Sequence, residues 1–186
     1  MDTSRIRGRV WVLVGRDGRP IEDIDTDQIF HNAHLHITDI AQMGEFALGN
    51  LEGWQDFPRR AKPGDIVVAG RNFGAGSSRQ QAVDCFIALK IAAVLAPSFS
   101  AIYFRNAVNS GFPVIRVRDL GALVRDHRLV TGDDIEMDVV AGRAANVSRS
   151  FTLPIDPMST VQADIFRAGD LFKYGRNPRL PAGSGR

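Results

Sequence analysis

The sequence predicts an α/β domain in which a parallel sheet is flanked by helices. Three observations carry that expectation. A β-loop-α-β-α-β alternation runs through residues 65–117. The strands within it are short, apolar and β-branched, the mark of strands buried on both faces. A chain of 186 residues, 44% hydrophobic and 24% charged, suits one folded domain. At this length ~70% of the unfolded surface is buried on folding, enough for a core without covalent staples.

Each element has a local reason. Residues 9–14 (RVWVLV) read as the first strand, ended by turn-forming residues at 15–20, and an acidic loop follows at 22–27. Thr38 and Asp39 open a helix to about residue 48, with Asp39 and Gln42 spaced as a capping box. Residues 53–64 contain Pro58, Pro63 and basic side chains, which predicts an exposed connection. Residues 65–69 (DIVVA) are a buried strand, and Gly70, Gly74 and Gly76 force a sharp loop at 70–78. Ala82, Cys85, Phe86 and Leu89 then recur at helical spacing, giving a helix over 78–91. Strand 93–96, helix 100–110 and strand 114–117 complete the alternation. Beyond it come strands at 135–140 and 147–153 around a turn at 141–143, then a helix at 159–167. The domain is expected to span 1–175, and the Pro- and Gly-bearing tail 176–186 to be disordered.

Composition removes several function classes. Cys85 is the single cysteine, so no intramolecular disulfide can form and no iron–sulfur cluster is expected on this chain alone. His31, His34, His36 and His127 do not pair with cysteine at zinc-finger spacing, and Asp23, Asp25 and Asp27 lack the glycine and distal glutamate of a calcium loop, so no metal is expected here. The first residues lack a signal peptide's apolar stretch, and no run reaches the ~20 apolar residues of a membrane span, so a cytoplasmic, membrane-free protein is expected. The net charge is +2, with basic residues spread along the chain, which argues against nucleic acid. Nearly all of those basic residues are arginine, the exceptions being Lys62, Lys90 and Lys173. Arginine suits carboxylate and phosphate ligands through its planar fork.

The chemistry concentrates in residues 72–79 (NFGAGSSR), between a buried strand and a helix. Glycines let backbone approach a ligand, and unpaired N–H groups at a helix start attract anions. No Lys-Ser or Lys-Thr follows the last glycine, so this is not a P-loop. Arg79 occupies the place of the third glycine of a dinucleotide fingerprint. Ser77 and Ser78 have two readings: either one caps the helix, or one is a base whose alkoxide is stabilised by N–H donors and Arg79. Cys85, on the apolar stripe, reads as a small buried hydrophobe.

Residues 70–79 (GRNFGAGSSR) with Ala82, followed by 96–107 (APSFSAIYFRNA), and with 25–29 (DTDQI) ahead of both, resemble the small subunit of the isopropylmalate dehydratase and homoaconitase group. The same segment lies in the swivelling C-terminal domain of single-chain aconitases. The resemblance implies a three-layer β/β/α swivelling domain and a hydro-lyase built from two different chains. It also implies a large-subunit partner carrying a [4Fe–4S] cluster, whose open iron acts as a Lewis acid on a small hydroxy-carboxylate substrate. By the same resemblance Ser77 is the base that takes a proton from carbon. Ser78 and Arg79 bind substrate carboxylate, Asn72, Gly74 and Gly76 are substrate-binding residues of the same loop, and Asp27 assists catalysis by orienting a partner-chain histidine.

The sequence departs from that group in places. Gln80 and Gln81 replace a common Glu-His, and Lys90 a common glycine. Residues 30–36 (FHNAHLH) replace an arginine-containing stretch that senses the substrate's variable group, which makes His34 and His36 the candidate specificity residues. Three surface histidines on a mobile loop are the competing reading. Arg105 and Asn106 are expected to support the loop. Isopropylmalate is the expected substrate. Homoaconitate, a methylated malate and citraconate-like acids are alternatives within the group, and a non-catalytic anion-binding module is the alternative outside it.

Overall fold

The computed structural model describes residues 4–176. The predicted disordered tail therefore lies, apart from Arg176, outside the described residues. Seven strands form the sheet: β1 (Arg5–Val12), β2 (Ile66–Val68), β3 (Ala93–Ala96), β4 (Val114–Arg116), β5 (Asp134–Asp138), β6 (Arg143–Asn146) and β7 (Phe151–Leu153). The α-helices are α1 (Thr26–Ile29), α2 (Ile40–Met43), α3 (Phe57–Arg60), α4 (Gln81–Ala88), α5 (Ala101–Asn109), α6 (Leu120–Arg125), α7 (Thr160–Ala168) and α8 (Leu171–Gly175).

The strand order is β4-β3-β2-β1-β5-β6-β7. The half from β4 to β1 is parallel and the half from β1 to β7 antiparallel, so β1 belongs to both. Side chains alternate faces along each strand. On the parallel half Trp11, Val67, Val94 and Ala96 face α4 and α5, where Cys85, Phe86 and Tyr103 bury their side chains. Val10, Val12, Ile66, Val68 and Leu95 face the other way, onto Ile135, Met137, Ala144 and Leu153 of the antiparallel half. The sheet thus curls over its own second core. A bridge between Val117 and Ile155, flanked by Arg118 N–H donating to the Pro154 carbonyl (2.9 Å), ties the far edges together. Helices, parallel half and antiparallel half are the three layers of the expected β/β/α arrangement.

Several elements differ from the sequence reading. β1 starts at Arg5 because its first residues, Arg5 to Gly8, pair with β5. The helix expected to about residue 48 is one α-turn, α2, followed by a 3-10 turn at Gly44–Phe46. Asp39 does cap α2 by accepting from Ala41 N–H, and the Gln42 amide donates to the Asp39 carboxylate instead of reaching the cap's backbone. The connection at 53–64 holds α3 and buries Trp54 and Phe57. The two late strands are three, with β6 occupying part of the expected turn and residues 147–150 forming a turn of their own.

Candidate active site

The glycine loop after β2 is clamped from both sides by backbone hydrogen bonds. On one side Asp23 N–H donates to the Arg71 carbonyl (2.8 Å), Gly74 N–H to the Ile24 carbonyl (2.8 Å) and Thr26 N–H to the Ala75 carbonyl (2.9 Å). On the other, Phe73 N–H donates to the Ser98 carbonyl and Ser100 N–H to the Phe73 carbonyl, while Ser98 Oγ accepts from Asn72 N–H. The acidic loop, the glycine loop and the residues before α5 therefore lie side by side. Gly74 has φ +79° and sits against the Tyr103 ring, where a Cβ would overlap it. No other residue fits that turn at that distance.

This packing brings together residues far apart in sequence. Arg79 Nη1 donates to Asp27 Oδ1 (2.6 Å) and to the Phe30 carbonyl (3.2 Å). Asp27 Oδ1 also accepts from Asn32 N–H (3.0 Å), and Oδ2 accepts from the Asn50 side-chain amide (3.1 Å). His31 Nε2 lies 3.9 Å from Asp27 Oδ2. The Arg79 bond, set against modest burial and reinforced by Asn32, holds Asp27 below the usual carboxylate range, so it stays ionised at neutral pH. Ser77 and Ser78 are exposed beside this pair, and Ser77 Oγ is 3.1 Å from Thr26 Oγ1.

The helix-capping reading of the serines does not hold. α4 begins at Gln81 with Gln80 at its N-cap, and neither serine hydroxyl bonds to its first turn. Residues 77–80 are instead a short bridge between loop and helix, in which Arg79 N–H donates to the Ser77 carbonyl. Asn106 supports it from α5, its amide reaching the Ser78 carbonyl at 3.4 Å. Arg105 is exposed and turns to a separate cavity of about 690 Å³ between α5 and the segment before α7, which none of Asp27, Ser77, Ser78 and Arg79 lines.

Other expected residues take definite places. Asn72 Nδ2 donates to Asp23 Oδ1 (2.8 Å), with Asn72 itself in the left-handed region at φ 57°, so it fixes the loop's shape. Gly76 is exposed next to Ser77, at φ +89°. His34 stacks on Phe46 with ring centroids 4.0 Å apart, and burial pushes its pKa down, which favours the neutral ring. His36 Nδ1 lies 3.0 Å from the Ala33 carbonyl of its own loop. Of the loop histidines, His31 is the one beside Asp27. Its Nδ1 accepts from Ala33 N–H at 3.3 Å, which leaves the Nε2 edge turned to the carboxylate.

Sequence reasoning passed over Thr26, His31 and Asn50. The i,i+4 spacing of Asp27 and His31 was a signal, as was the capping box of Asp25 and Gln28 that starts α1. Asn50 left none. It reaches Asp27 because Leu48 adopts φ 58° and donates its N–H to the Ile29 carbonyl.

Cys85 is fully buried, its Sγ 3.6 Å from the Ala82 carbonyl, and burial drives its thiol pKa far up, as expected of a packing residue. Among the described residues no group of three or more His, Cys, Asp or Glu gathers to hold a metal, and no helix is long and apolar enough to cross a membrane.

Comparison with known proteins agrees with this geometry. Residues 25–119 match the family model of the aconitase C-terminal domain. The 3-isopropylmalate dehydratase small subunit of Pyrobaculum aerophilum is 37% identical over 94% of this chain and 99% of its own length. The isopropylmalate/citramalate isomerase small subunit of Methanocaldococcus jannaschii is 33% identical over 92% of this chain and 94% of its own. A crystal structure of 3-isopropylmalate dehydratase from the latter organism superposes with a TM-score of 0.77 at 30% identity, over 91% of this chain and 92% of that one. The curled sheet, the glycine loop on its serines and these likenesses together mean that the chain belongs to the aconitase C-terminal domain family, alongside the small subunits of 3-isopropylmalate dehydratase.

Proposed function

We propose that this chain is the small subunit of a 3-isopropylmalate dehydratase, working in the cytoplasm with a large subunit that carries a [4Fe–4S] cluster. The observation that carries the reading is the convergence of Ser77 and Arg79, from the bridge before α4, with Asp27 of α1 at one edge of the domain, Ser77 exposed and the Arg79–Asp27 pair half-buried. Full-length relatives bearing that name support it. The donor set of this chain does not fit an iron–sulfur cluster, since its single cysteine is sealed in the core, so the cluster is assigned to the partner. Bound there, it would supply Lewis-acid polarisation of the substrate's hydroxyl and a carboxylate.

This chain's residues do the rest. Dehydration takes a proton from the carbon next to a carboxylate, and Ser77 Oγ is the base placed to receive it. An alkoxide is a strong base that needs fixed donors around it. Arg79 spends Nη1 on Asp27 and Phe30, while its Nε and Nη2 carry no bond among the described residues, leaving that edge for a substrate carboxylate. Ser78, exposed between them, adds a hydroxyl. Asp27, kept ionised, can orient a histidine from the partner chain.

A methylated malate is the second reading, favoured by the relative named isopropylmalate/citramalate isomerase. Co-expression with a large subunit and assay against a panel of hydroxy di- and tricarboxylates separates the two, with arginine exchanged for His34 and His36 in turn. In that complex Ser77→Ala is expected to lower turnover by roughly two to four orders of magnitude while the subunits still co-elute. Near-normal turnover in the variant would remove Ser77 as the base.

A further inference from the structure

Thr26 opens α1 one position before Asp27, and nothing so far gives it a part in the chemistry. Its surroundings are fixed. The residue is 2% exposed and its N–H donates to the Ala75 carbonyl at 2.9 Å. Asp25, immediately before it, bridges to Ala75 and is locked by its own capping box with Gln28. Gly76 is its neighbour at ordinary contact distance, a Cβ there lying 3.6 Å from Thr26 Oγ1. The hydroxyl meets Ser77 Oγ at 3.1 Å, across a sequence separation of 51 residues.

Distance alone leaves the direction of that hydrogen bond open, and burial decides it. Ser77 is exposed and can give its proton to water or to a ligand. Thr26 is enclosed, and Ser77 Oγ is the one partner of its hydroxyl among the described residues. A buried hydroxyl that fails to donate is costly, whereas an exposed one is not. Thr26 is therefore the donor and Ser77 the acceptor, and Ser77 turns its own proton outward to the exposed side of the site.

We infer that Thr26 is a positioning residue for the proton transfer, its hydroxyl donating to Ser77 Oγ both before and during the reaction. The inference rests on Ser77 being the base. The bond selects one rotamer of an otherwise free serine, and it strengthens when the acceptor becomes an alkoxide, because charge-assisted hydrogen bonds are the stronger kind. Thr26 keeps its proton throughout. Ser77 first releases its outward-facing proton to water, and the alkoxide so formed makes an O–H bond as the substrate's C–H bond breaks, the freed electron pair entering the new double bond as hydroxide leaves the neighbouring carbon.

The test uses the assembled two-subunit enzyme with Thr26→Val, which keeps the shape and deletes the hydroxyl, and Thr26→Ser, which keeps the hydroxyl. Thr26→Val is expected to lower kcat roughly 10- to 100-fold with KM little changed, and to move the serine-ionisation limb of the kcat pH profile to higher pH. Thr26→Ser is expected to restore both rate and profile. In a Ser77→Ala background Thr26→Val should add no further loss, because the two hydroxyls act as a unit. A Thr26→Val enzyme with unaltered kcat and profile overturns the inference, as does a loss that serine does not rescue or that leaves the pH profile in place. Full turnover in Ser77→Ala instead overturns the base assignment beneath it. Thermal melting and co-elution check folding and association. Should the valine variant not fold, Thr26→Ala takes its place with the same two outcomes.

Discussion

Asp84 shows how far one side chain's environment sets its energetics. It lies on α4 behind the site, takes a hydrogen bond from the Gln80 amide (2.8 Å), and has no cationic partner among the described residues. Burial raises its pKa, against a smaller lowering by Gln80. A carboxyl with a raised native pKa favours the fold below its unfolded pKa, and that contribution is lost as pH rises through the native value. At neutral pH the charge is thus a burden. Asp84→Asn keeps an acceptor for Gln80 and removes the charge, so the variant should melt higher than the parent at pH 7. The difference should vanish near about pH 4, where the parent carboxyl is itself taking up its proton. Thermal melts at the two pH values check it, and an equal gain at both would mean that charge burial is not the cause. The residue scale is also where the site was most and least legible. Ser77, Ser78 and Arg79 announce themselves through the glycines before them. Thr26, which meets Ser77, and Asn50, which holds the Asp27 that Arg79 pairs with, arrive by tertiary folding, and only Thr26 lies within a segment the motifs single out.

Elements were legible where apolar pattern and turn chemistry agreed. β3 falls on the expected residues, and α5 and α7 within one residue at each end. β6 escaped because Arg143–Asn146 contains two alanines and no β-branched residue; it is a strand because β5 and β7 pair with it on both sides. α6 escaped because its N-cap, Asp119, sits at φ 57° without a capping bond and Gly121 follows early. β2 was legible as an apolar run, whereas what anchors its start was not. Asp65, 4% exposed, accepts from Trp11 Nε1 (2.6 Å), Arg9 Nη2 (2.6 Å) and Lys62 N–H (2.8 Å), joining β1 to the entrance of β2. Burial pushes its pKa up, and the bonds from Arg9, Trp11 and Lys62 together outweigh it, so the carboxyl ends below the usual range. With a depressed native pKa, its contribution is present above the unfolded carboxylate pKa and is lost as pH falls through the native one. Asp65→Ala leaves a buried indole N–H and a backbone N–H unpaired, and should destabilise the fold by about 3–5 kcal/mol. Urea unfolding at pH 7 measures this, and a loss under about 1 kcal/mol would show the cluster to be incidental.

At the scale of the whole molecule, the curled sheet presents a surface and not an enclosed pocket. Ser77 and Ser78 are exposed, and the arginine beside them is held by a carboxylate of its own chain, with side chains of Arg79 and Asp27 19% and 32% accessible. A dicarboxylate arriving at the isolated subunit would find a single edge of Arg79, two hydroxyls and full competition from water. Asp27 stands 2.6 Å from that guanidinium and repels a second anion. Small ligands bind tightly when most of their surface is enclosed, which a single exposed edge cannot achieve. The isolated chain should therefore show no saturable heat with isopropylmalate at millimolar concentration by titration calorimetry, and the assembled pair should bind it at least ~100-fold more tightly, a difference of about 2.7 kcal/mol. Inorganic phosphate serves as the control anion. Tight binding of phosphate to the lone subunit, unaltered by the partner, would mark the glycine loop as an anion grip complete in itself. The proposed division of one active site between two chains would then fail.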